Sequence, residues 1–267
     1  MLPSFELASL HLDTYWVVYG LAIGVAGLLS FHRLVQGGIP PRHANRGLLL
    51  AIWIGLAGAI VGRSLIPLIQ NFALTGALAW PGGSAFVAAL ITATSLGFLY
   101  CQRFGLSPGR VFDLCAPAIP LGQAIGRMGC LAAGCCYGRA TNTWLGMVLP
   151  GRAGVWMARY PTQLMAAAAD LLIFITLLAV ERYGKQRLSK TETSSRGWPF
   201  DGFLFLLYVL LYCLKRFALE FLRGDAEPVL GQFTLIHIIC AAGLILSGSL
   251  IALNLHSTPR LSCQTSR

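Results

Sequence analysis

Long apolar segments, repeated along the whole chain, constrain this sequence more than any other feature. Only 11% of its 267 residues are charged, whereas a soluble domain carries about a quarter. A helix that crosses a bilayer needs about 20 predominantly apolar residues. Seven segments approach that length, at residues 14–31, 48–70, 85–100, 111–133, 164–180, 203–222 and 233–253. We therefore predict an all-α, polytopic integral membrane protein of about seven transmembrane helices, with residues 1–267 forming a single transmembrane domain.

The fourth segment, residues 111–133, is the least regular, because it is rich in glycine, proline and other small residues. Pro117 and Pro120 favour a break that would make part of it re-entrant. Broken helices at membrane depth are tolerated only where protein or a water-filled cavity satisfies the freed backbone. We therefore expect an interrupted helix in this segment.

The 20 Lys and Arg residues outnumber the 10 acidic residues, and their positions indicate a topology. Nucleic-acid-binding proteins carry such an excess on a polar surface, so we expect no nucleic-acid partner here. Twelve cations lie in alternate linkers and the C-terminal tail, namely Arg33, Arg42, Arg46, Arg103, Arg110, Arg182, Lys185, Arg187, Lys190, Arg196, Arg260 and Arg267. The positive-inside rule places these twelve in the cytoplasm, which puts the N-terminus outside and the C-terminus in the cytoplasm. Glu6 and Asp13 stand where a signal peptide is basic, so we expect the first helix not to be cleaved.

The longest outward linker, residues 139–160, is too short for a separate soluble domain. It contains Trp144, Pro150 and Trp156. Tryptophan is enriched at membrane interfaces, so this linker could lie on the membrane surface as a lid.

Four cations lie within the apolar segments, namely Arg63, Arg127, Lys215 and Arg216. A charge at bilayer depth is costly, so it usually faces a cavity and marks a functional site. Arg63 could instead pair structurally with Asp113. We expect Lys215 to extend its ammonium group towards a membrane interface.

Arg127 has the strongest functional signal of the four, because Gly126 and Gly129 lie on either side of it. Glycines allow a ligand or a second backbone to approach the guanidinium closely. This environment favours a binding site over a purely structural role.

Arg216, Glu220 and Arg223 follow at positions i, i+4 and i+7, which share one face of a helix. The Arg–Glu spacing predicts an ion pair that holds one guanidinium and leaves its other donors for a ligand. Two fixed guanidinium groups suit a phosphate ester, which they bind bidentately. In a membrane, the expected phosphate is a phospholipid head group.

Three of the eight cysteines cluster as Cys130, Cys135 and Cys136. A metal or iron–sulfur site would want a CxxC-type spacing and a fourth ligand, and neither is evident, so we expect no metal and no cofactor. A redox pair of Cys130 with Cys135 or Cys136 is one alternative. The others are that the cluster lines a pocket beside Arg127, or that it simply packs.

The run from Gly126 to Arg139 reads GRMGCLAAGCCYGR. It resembles the signature of the prolipoprotein diacylglyceryl transferase family, whose usual form is G-R-x-G-N-F-x-N-x-E-x-[WYF]-G. Other motifs similar to the family's follow its order, namely Tyr19-Gly20, Gly82-Gly83, Pro161-Thr162-Gln163-Leu164, Arg216 to Arg223 and Gly231-Gln232. The resemblance spans most of the chain, and the predicted helix count and outward N-terminus agree with that family.

The resemblance implies transfer of a diacylglyceryl group from phosphatidylglycerol to the lipobox cysteine thiol of a prolipoprotein. It implies a multi-pass protein of the bacterial inner membrane, with the active site towards the outer face. The implied partners are phosphatidylglycerol, prolipoprotein signal peptides and membrane lipids. Arg127 and Arg216 are the implied catalytic residues, stabilising charge on the leaving phosphate. The implied substrate-binding residues are Tyr19, Gly82, Gly83, Gly126, Gly129, Gly138, Gln163, Glu220 and Arg223.

Within this set, Gln163 and Tyr19 would form hydrogen bonds with glycerol hydroxyls. Glu220 and Arg223 would position Arg216 or the head group.

The sequence departs from the family pattern at polar positions. In the signature, Cys130 and Ala133 stand where the family has Asn, and Cys135 stands where it has Glu. Pro81 and Tyr160 each stand where the family has His. Met165-Ala166 replaces the family's Tyr-Glu pair. A base for the substrate thiol is therefore not assigned, with the arginine field, Tyr160 and Glu220 as candidates. Two other functions stay open, a non-catalytic phospholipid-binding homologue and a membrane thiol–disulfide redox protein using Cys130, Cys135 and Cys136.

Overall fold

A computed structural model describes residues 4–7, 10–47, 49–50, 53, 85–150, 155–189, 198–224 and 232–257. Within these ranges the chain is mainly helical. Its helices are α1 (Thr14–Gln36), α2 (Ala85–Arg103), α3 (Pro108–Cys115), α4 (Ala118–Ala133), α5 (Thr162–Ser189), α6 (Phe203–Glu220) and α7 (Leu235–Ser257), and residues 41–47 are also helical. The predicted helical fold is confirmed.

Two small antiparallel hairpins add to the helices, and the all-α prediction missed both. Strand β1 (Ser4–Leu7) pairs with β2 (Leu10–Asp13), and Ser4 lies opposite Asp13. Strand β3 (Met147–Pro150) pairs with β4 (Trp156–Arg159), and Met147 lies opposite Arg159. Four-residue strands are too short to give a recognisable alternation in sequence.

Three helices of the described ranges are long and apolar enough to cross a membrane, namely α1, residues Thr162–Arg187 of α5, and α7. Helix α6 carries Lys215, Arg216 and Glu220 within its 18 residues, which makes it too charged to meet the same standard. Helix α4 has 16 residues, or about 24 Å at 1.5 Å per residue. That is shorter than the roughly 30 Å hydrocarbon core. The chain therefore has the helices of a membrane protein, and the count of seven spans stays a prediction.

The predicted break in the fourth segment is confirmed. Helix α3 ends at Cys115 and α4 begins at Ala118, with Pro117 between them. Proline removes a backbone donor and ends the preceding helix. Pro120 causes no second break, because it lies in the first turn of α4, where a missing N–H costs nothing.

Glycines set the contact between α1 and α4. A Cβ atom at Gly122 would lie 2.9 Å from the Ala26 Cβ, and one at Gly129 would lie 3.3 Å from the Val18 Cβ. Small residues at a membrane helix interface let the two backbones approach closely. The signature region therefore packs tightly on the first helix.

The hydrophobic core lies where α5, α6 and α7 meet, around the fully buried side chains of Leu177, Tyr208 and Ile236. Asp113 of α3 fixes the start of α6. Its carboxylate accepts the backbone N–H of Gly202 at 2.7 Å and of Phe205 at 2.9 Å. These bonds satisfy donors that have no partner within the helix. The suggested Asp113 partner Arg63 lies outside the described residues, as does most of segment 48–70.

Candidate active site

A pocket opens between the ends of α4 and α6 and the beginning of α5. It is a small, open pocket with a cavity volume of about 20 Å³, and four cations lie on its wall. Its lining residues are Arg127, Cys136, Thr162, Ala166, Lys215, Arg216, Leu219 and Arg223. No acidic side chain is among the described residues of this lining. The pocket is therefore built for an anion.

Glu220 holds the arginines of α6. The Arg216 Nη1 and Glu220 Oε2 atoms lie 2.5 Å apart, and the Arg223 Nε lies 3.9 Å from the same oxygen. The other oxygen, Oε1, accepts a hydrogen bond from the Thr234 hydroxyl at 3.2 Å. The predicted ion pair is thereby confirmed. Through these contacts the Glu220 side chain positions the guanidinium groups, and its role as a base stays a prediction.

Lys215 does not reach a membrane interface, so that expectation was wrong. It is buried and its Nζ lies 2.5 Å from Oδ1 of Asp170, a residue of α5 that is fully buried. The ammonium also lies 4.7 Å from the centre of the Tyr212 ring. Sequence reasoning missed Asp170, although an acidic residue in the middle of an apolar segment is itself a signal of a buried partner.

Arg127 lies on α4 and is half-buried at the pocket wall. The two glycines near Arg127, Gly126 and Gly129, have different surroundings. A Cβ atom at Gly126 would meet no atom within 4 Å, whereas Gly129 is buried against Val18 and the Tyr15 carbonyl of α1. The structure thus places Gly129 at a helix contact and not at the pocket, because α1 occupies the space beside it.

The loop after α4 carries two of the clustered cysteines. Gly134 ends the helix with a left-handed backbone (φ 68°), and Cys136 has φ 58°, which a residue with a Cβ rarely adopts. The Thr162 hydroxyl donates to the Cys136 carbonyl at 2.7 Å, and the Gln163 amide donates to the Cys135 carbonyl at 2.7 Å. Two side chains at the start of α5 therefore fix this loop.

These bonds change the expected role of Gln163. Its Nε2 is used on the loop, and its Oε1 is buried without a hydrogen-bond partner in the described part of the chain. Gln163 is also absent from the pocket wall, where its neighbour Thr162 is found. The structure therefore gives Gln163 a positioning contact, and its contact with glycerol stays a prediction.

The sulfur atoms of Cys130, Cys135 and Cys136 all lie within 4.8 Å of one another, and the three side chains are free thiols. Hydrogen bonds from the Cys130 and Cys135 thiols lower the pKa of Cys136 well below its ordinary value, and the positive charges of Arg223 and Arg127 act in the same direction. Cys136 also lines the pocket with Arg127, as the sequence suggested. The arrangement therefore places a thiol group next to the guanidinium groups.

Gly138 brings the signature loop against the end of α6. It forms an antiparallel β-bridge with Arg223, and its N–H donates to the Tyr160 carbonyl at 3.0 Å. A Cβ atom here would lie 2.4 Å from the Tyr160 carbonyl oxygen and 3.0 Å from that of Leu222. Gly138 therefore acts by allowing three backbone segments to meet, which holds Arg223 beside the pocket.

Tyr19 and Tyr160 lie away from the pocket wall. Tyr19 stacks on Tyr15 at 5.9 Å, and both phenols interact electrostatically with Cys130. Hydrogen bonds with the Thr141 and Thr143 hydroxyls lower the pKa of Tyr160. Gly82 and Gly83 lie outside the described residues.

Comparison with known proteins finds a family that matches most of this chain. The family model for prolipoprotein diacylglyceryl transferase matches residues 3–253. A phosphatidylglycerol–prolipoprotein diacylglyceryl transferase of Clostridium tetani is 31% identical, over 83% of this chain and 84% of that protein. A transferase of the same name from Dehalococcoides mccartyi is 31% identical over 85% and 84%, and the second such transferase of Clostridium perfringens is 27% identical over 94% and 93%. The chain therefore belongs to the prolipoprotein diacylglyceryl transferase family.

Proposed function

We propose that this protein transfers a diacylglyceryl group from phosphatidylglycerol to the lipobox cysteine thiol of a prolipoprotein. The names of its relatives state this donor and this acceptor for those proteins. The observation that carries the proposal here is the pocket of four cations between α4, α5 and α6. Such a pocket fits the phosphate of the donor lipid.

The charge of the pocket suits the reaction. Four cations line it, and two acids, Asp170 and Glu220, lie behind them, so positive charge remains in excess. A phosphodiester carries one negative charge, and the glycerol phosphate that leaves approaches two. Interactions that strengthen as the charge grows stabilise the transition state more than the bound lipid.

Arg127 and Arg216 are the proposed catalytic residues, because both face the pocket from different helices. In the transfer, a bond forms between the acceptor sulfur and a glyceryl carbon, and the carbon–oxygen bond to phosphate breaks. The electron pair leaves with the phosphate oxygen. Guanidinium groups bind phosphate oxygens bidentately and are well placed to stabilise that charge.

The other predicted residues keep narrower roles in this proposal. Glu220 positions Arg216 and Arg223, and Gly138 holds the backbone of Arg223 in place. Gly126 has open space where a lipid chain can approach. Tyr19 remains a candidate glycerol contact, as do Gly82 and Gly83, which are not described.

We place the pocket towards the outer face of a bacterial inner membrane, with seven spans in one domain, an outward N-terminus and a cytoplasmic C-terminus. The contacts of α5 near its start and near its end support this orientation. Thr162 at its start lines the pocket. Glu181 lies 19 residues further on, about 28 Å away along the helix. There Glu181 pairs with Arg33, at 2.8 Å, and with Lys185, at 2.9 Å, two of the cations assigned to the cytoplasm.

The hairpin of β3 and β4 supports the same orientation. Trp144 is 90% exposed and Trp156 is 58% exposed, and both lie between α4 and α5 at the pocket end of the molecule. Exposed tryptophans favour the interface between head groups and hydrocarbon. We therefore propose that this hairpin lies on the outer membrane surface beside the pocket.

The function is tested by complementation of a bacterial strain depleted of its own transferase. We expect this chain to restore growth and lipidation of a reporter prolipoprotein, and the variant Arg127→Ala to fail at equal expression. Complete failure of the wild-type chain at good expression, with several prolipoproteins, would contradict the catalytic proposal. A non-catalytic homologue would instead bind phosphatidylglycerol and release no glycerol phosphate.

A further inference from the structure

Three thiols converge at the edge of the arginine pocket, and the transfer described above gives them no task. We propose that Cys130, Cys135 and Cys136 hold one Zn²⁺ ion, whose fourth coordination position takes the incoming acceptor thiol. The metal site itself is independent of the transferase reaction, whereas the role of the fourth position rests on the proposed function.

The positions of the sulfur atoms suit a three-thiolate zinc site. Zinc–sulfur bonds of about 2.3 Å at tetrahedral angles place sulfur atoms about 3.8 Å apart. The three sulfur atoms here lie within 4.8 Å of one another, which is close to that spacing. Cys130 comes from the last turn of α4, and the other two come from the loop that follows.

The scaffold around the thiols is already fixed. The Thr162 hydroxyl and the Gln163 amide each hold a carbonyl of the cysteine loop at 2.7 Å. Both of these side chains are buried, at 5% and 1% exposure. Groups that orient ligands from the outer shell strengthen metal binding, and this loop is supported in that way.

The charge around the site also fits. Three thiolates and one Zn²⁺ carry a net charge of minus one, and the positive charges of Arg127 and Arg223 both act on Cys136. Thiolate ligands select zinc over magnesium and calcium, which prefer oxygen. A zinc site with three protein ligands and an open fourth position is of the catalytic type. The sequence offers no fourth protein ligand, which argued against a metal site. In a catalytic site, however, the fourth position must stay open for the substrate thiol.

An open zinc site would activate the acceptor thiol directly. Both oxygens of Glu220 have partners, and the Tyr160 phenol is hydrogen-bonded to Thr141 and Thr143. A thiol that coordinates a metal loses its proton, here to solvent, and becomes a nucleophile. Its sulfur then bonds to the glyceryl carbon, and the electron pair of the breaking carbon–oxygen bond leaves with the phosphate. Zinc stays divalent throughout, so no oxidant or reductant is needed.

The two centres adjoin each other through Cys136. Its sulfur belongs to the thiol cluster, and its side chain also lines the pocket with Arg127 and Arg216. A thiol held on zinc would therefore lie next to the phosphate that is to leave. Nearness and alignment of the two reactants are a large part of the rate gain in such transfers.

The metal site is tested on the full-length protein in detergent, by elemental analysis and by Cd²⁺ titration followed through sulfur-to-metal charge-transfer absorption. We expect one metal ion per chain. Metal binding should weaken by at least about tenfold in each of the variants Cys130→Ser, Cys135→Ser and Cys136→Ser. A change in a residue that only orients a metal ligand already costs about that much affinity. Cys115→Ser, outside the cluster, is the matched control and should bind normally. Wild-type protein that binds neither metal, or three serine variants that bind as well as the wild type, would overturn the site.

The role of the fourth position needs a separate measurement. In Co²⁺-substituted protein, a lipobox peptide should shift the visible absorption bands, and the same peptide with Ser in place of its Cys should not. Chelation should abolish transfer and Zn²⁺ should restore it, while Arg127→Ala should keep its zinc and lose transfer. A protein that binds zinc but never transfers would disprove the transferase function and leave the site intact. Full transfer after zinc removal would disprove the role of the metal and leave the transferase function standing.

Discussion

The Arg216 guanidinium and the Glu220 carboxylate lie 2.5 Å apart, one turn apart on α6, and both side chains are at least 94% buried. A buried charge is tolerated only when it is paired, because the loss of hydration costs several kcal/mol per ion. The same carboxylate lies 3.9 Å from Arg223. One acidic residue thus fixes two of the cations that face the pocket.

Replacing Glu220 by Gln should destabilise the fold and reduce transfer. Removing one partner of a buried ion pair costs about 3–5 kcal/mol, because the other charge stays buried without compensation. Denaturation in detergent and the rate of glycerol phosphate release measure the two effects. Glu181→Gln is the matched control, since it breaks the ion pair with Arg33 far from the pocket, and its transfer rate per folded molecule should be normal. Equal transfer rates for the two variants would refute the positioning role.

Arg127→Ala and Arg216→Ala should each lower the transfer rate by about 10²–10³-fold, the usual cost of removing a donor that stabilises developing charge. Arg127→Lys should recover little, because an ammonium group cannot bind phosphate bidentately. Arg187→Ala changes a side chain that bonds Tyr183 on the exposed part of α5, and it should leave the rate unchanged. An Arg127→Ala variant that folds and transfers at a normal rate would exclude this residue from the site.

The buried pair of Lys215 and Asp170 predicts strong coupling between two variants. Lys215→Met and Asp170→Leu should each cost about 3–5 kcal/mol, whereas the double variant should regain most of this stability. The double variant should still transfer slowly, because one of the four pocket cations is gone. Additive stability losses in the two-variant cycle would show that the ion pair does not form.

Gly138→Ala should disturb the site through the backbone. Its Cβ would lie 2.4 Å from the Tyr160 carbonyl oxygen, so the bridge to Arg223 must open, at a cost of about 1–3 kcal/mol. Gly126→Ala is the matched control for folding, because its Cβ has open space and alanine favours a helix by up to about 1 kcal/mol. Thermal unfolding of the two variants separates these effects, and equal stability would contradict the close approach at Gly138.

Local relationships were predictable from the sequence. Arg216 and Glu220 are four residues apart, and helix geometry alone brings such residues together. The break at Pro117 follows from the missing backbone donor of proline. The grouping of Cys130, Cys135 and Cys136 follows from their closeness in the chain.

Relationships between distant elements were not predictable in the same way. Lys215 and Asp170 are 45 residues apart, and which helix faces meet depends on the packing of α5 against α6. A glycine close to an arginine, such as Gly129, can make room either for a ligand or for a neighbouring helix. The sequence does not distinguish the two, and only the position of α1 decides between them. Gln163 likewise matches a family motif, but the motif does not reveal that its amide binds the Cys135 carbonyl.

The most direct test of the transferase function uses the purified protein with phosphatidylglycerol and a lipobox peptide in mixed micelles. Glycerol phosphate release and the mass of the peptide are measured in the same sample. We predict equal amounts of glycerol phosphate and of peptide carrying a diacylglyceryl group on its cysteine, with both products formed about 10²–10³-fold more slowly by Arg216→Ala. Lipid that is bound without release of glycerol phosphate, beside an unmodified peptide, would contradict the proposed function.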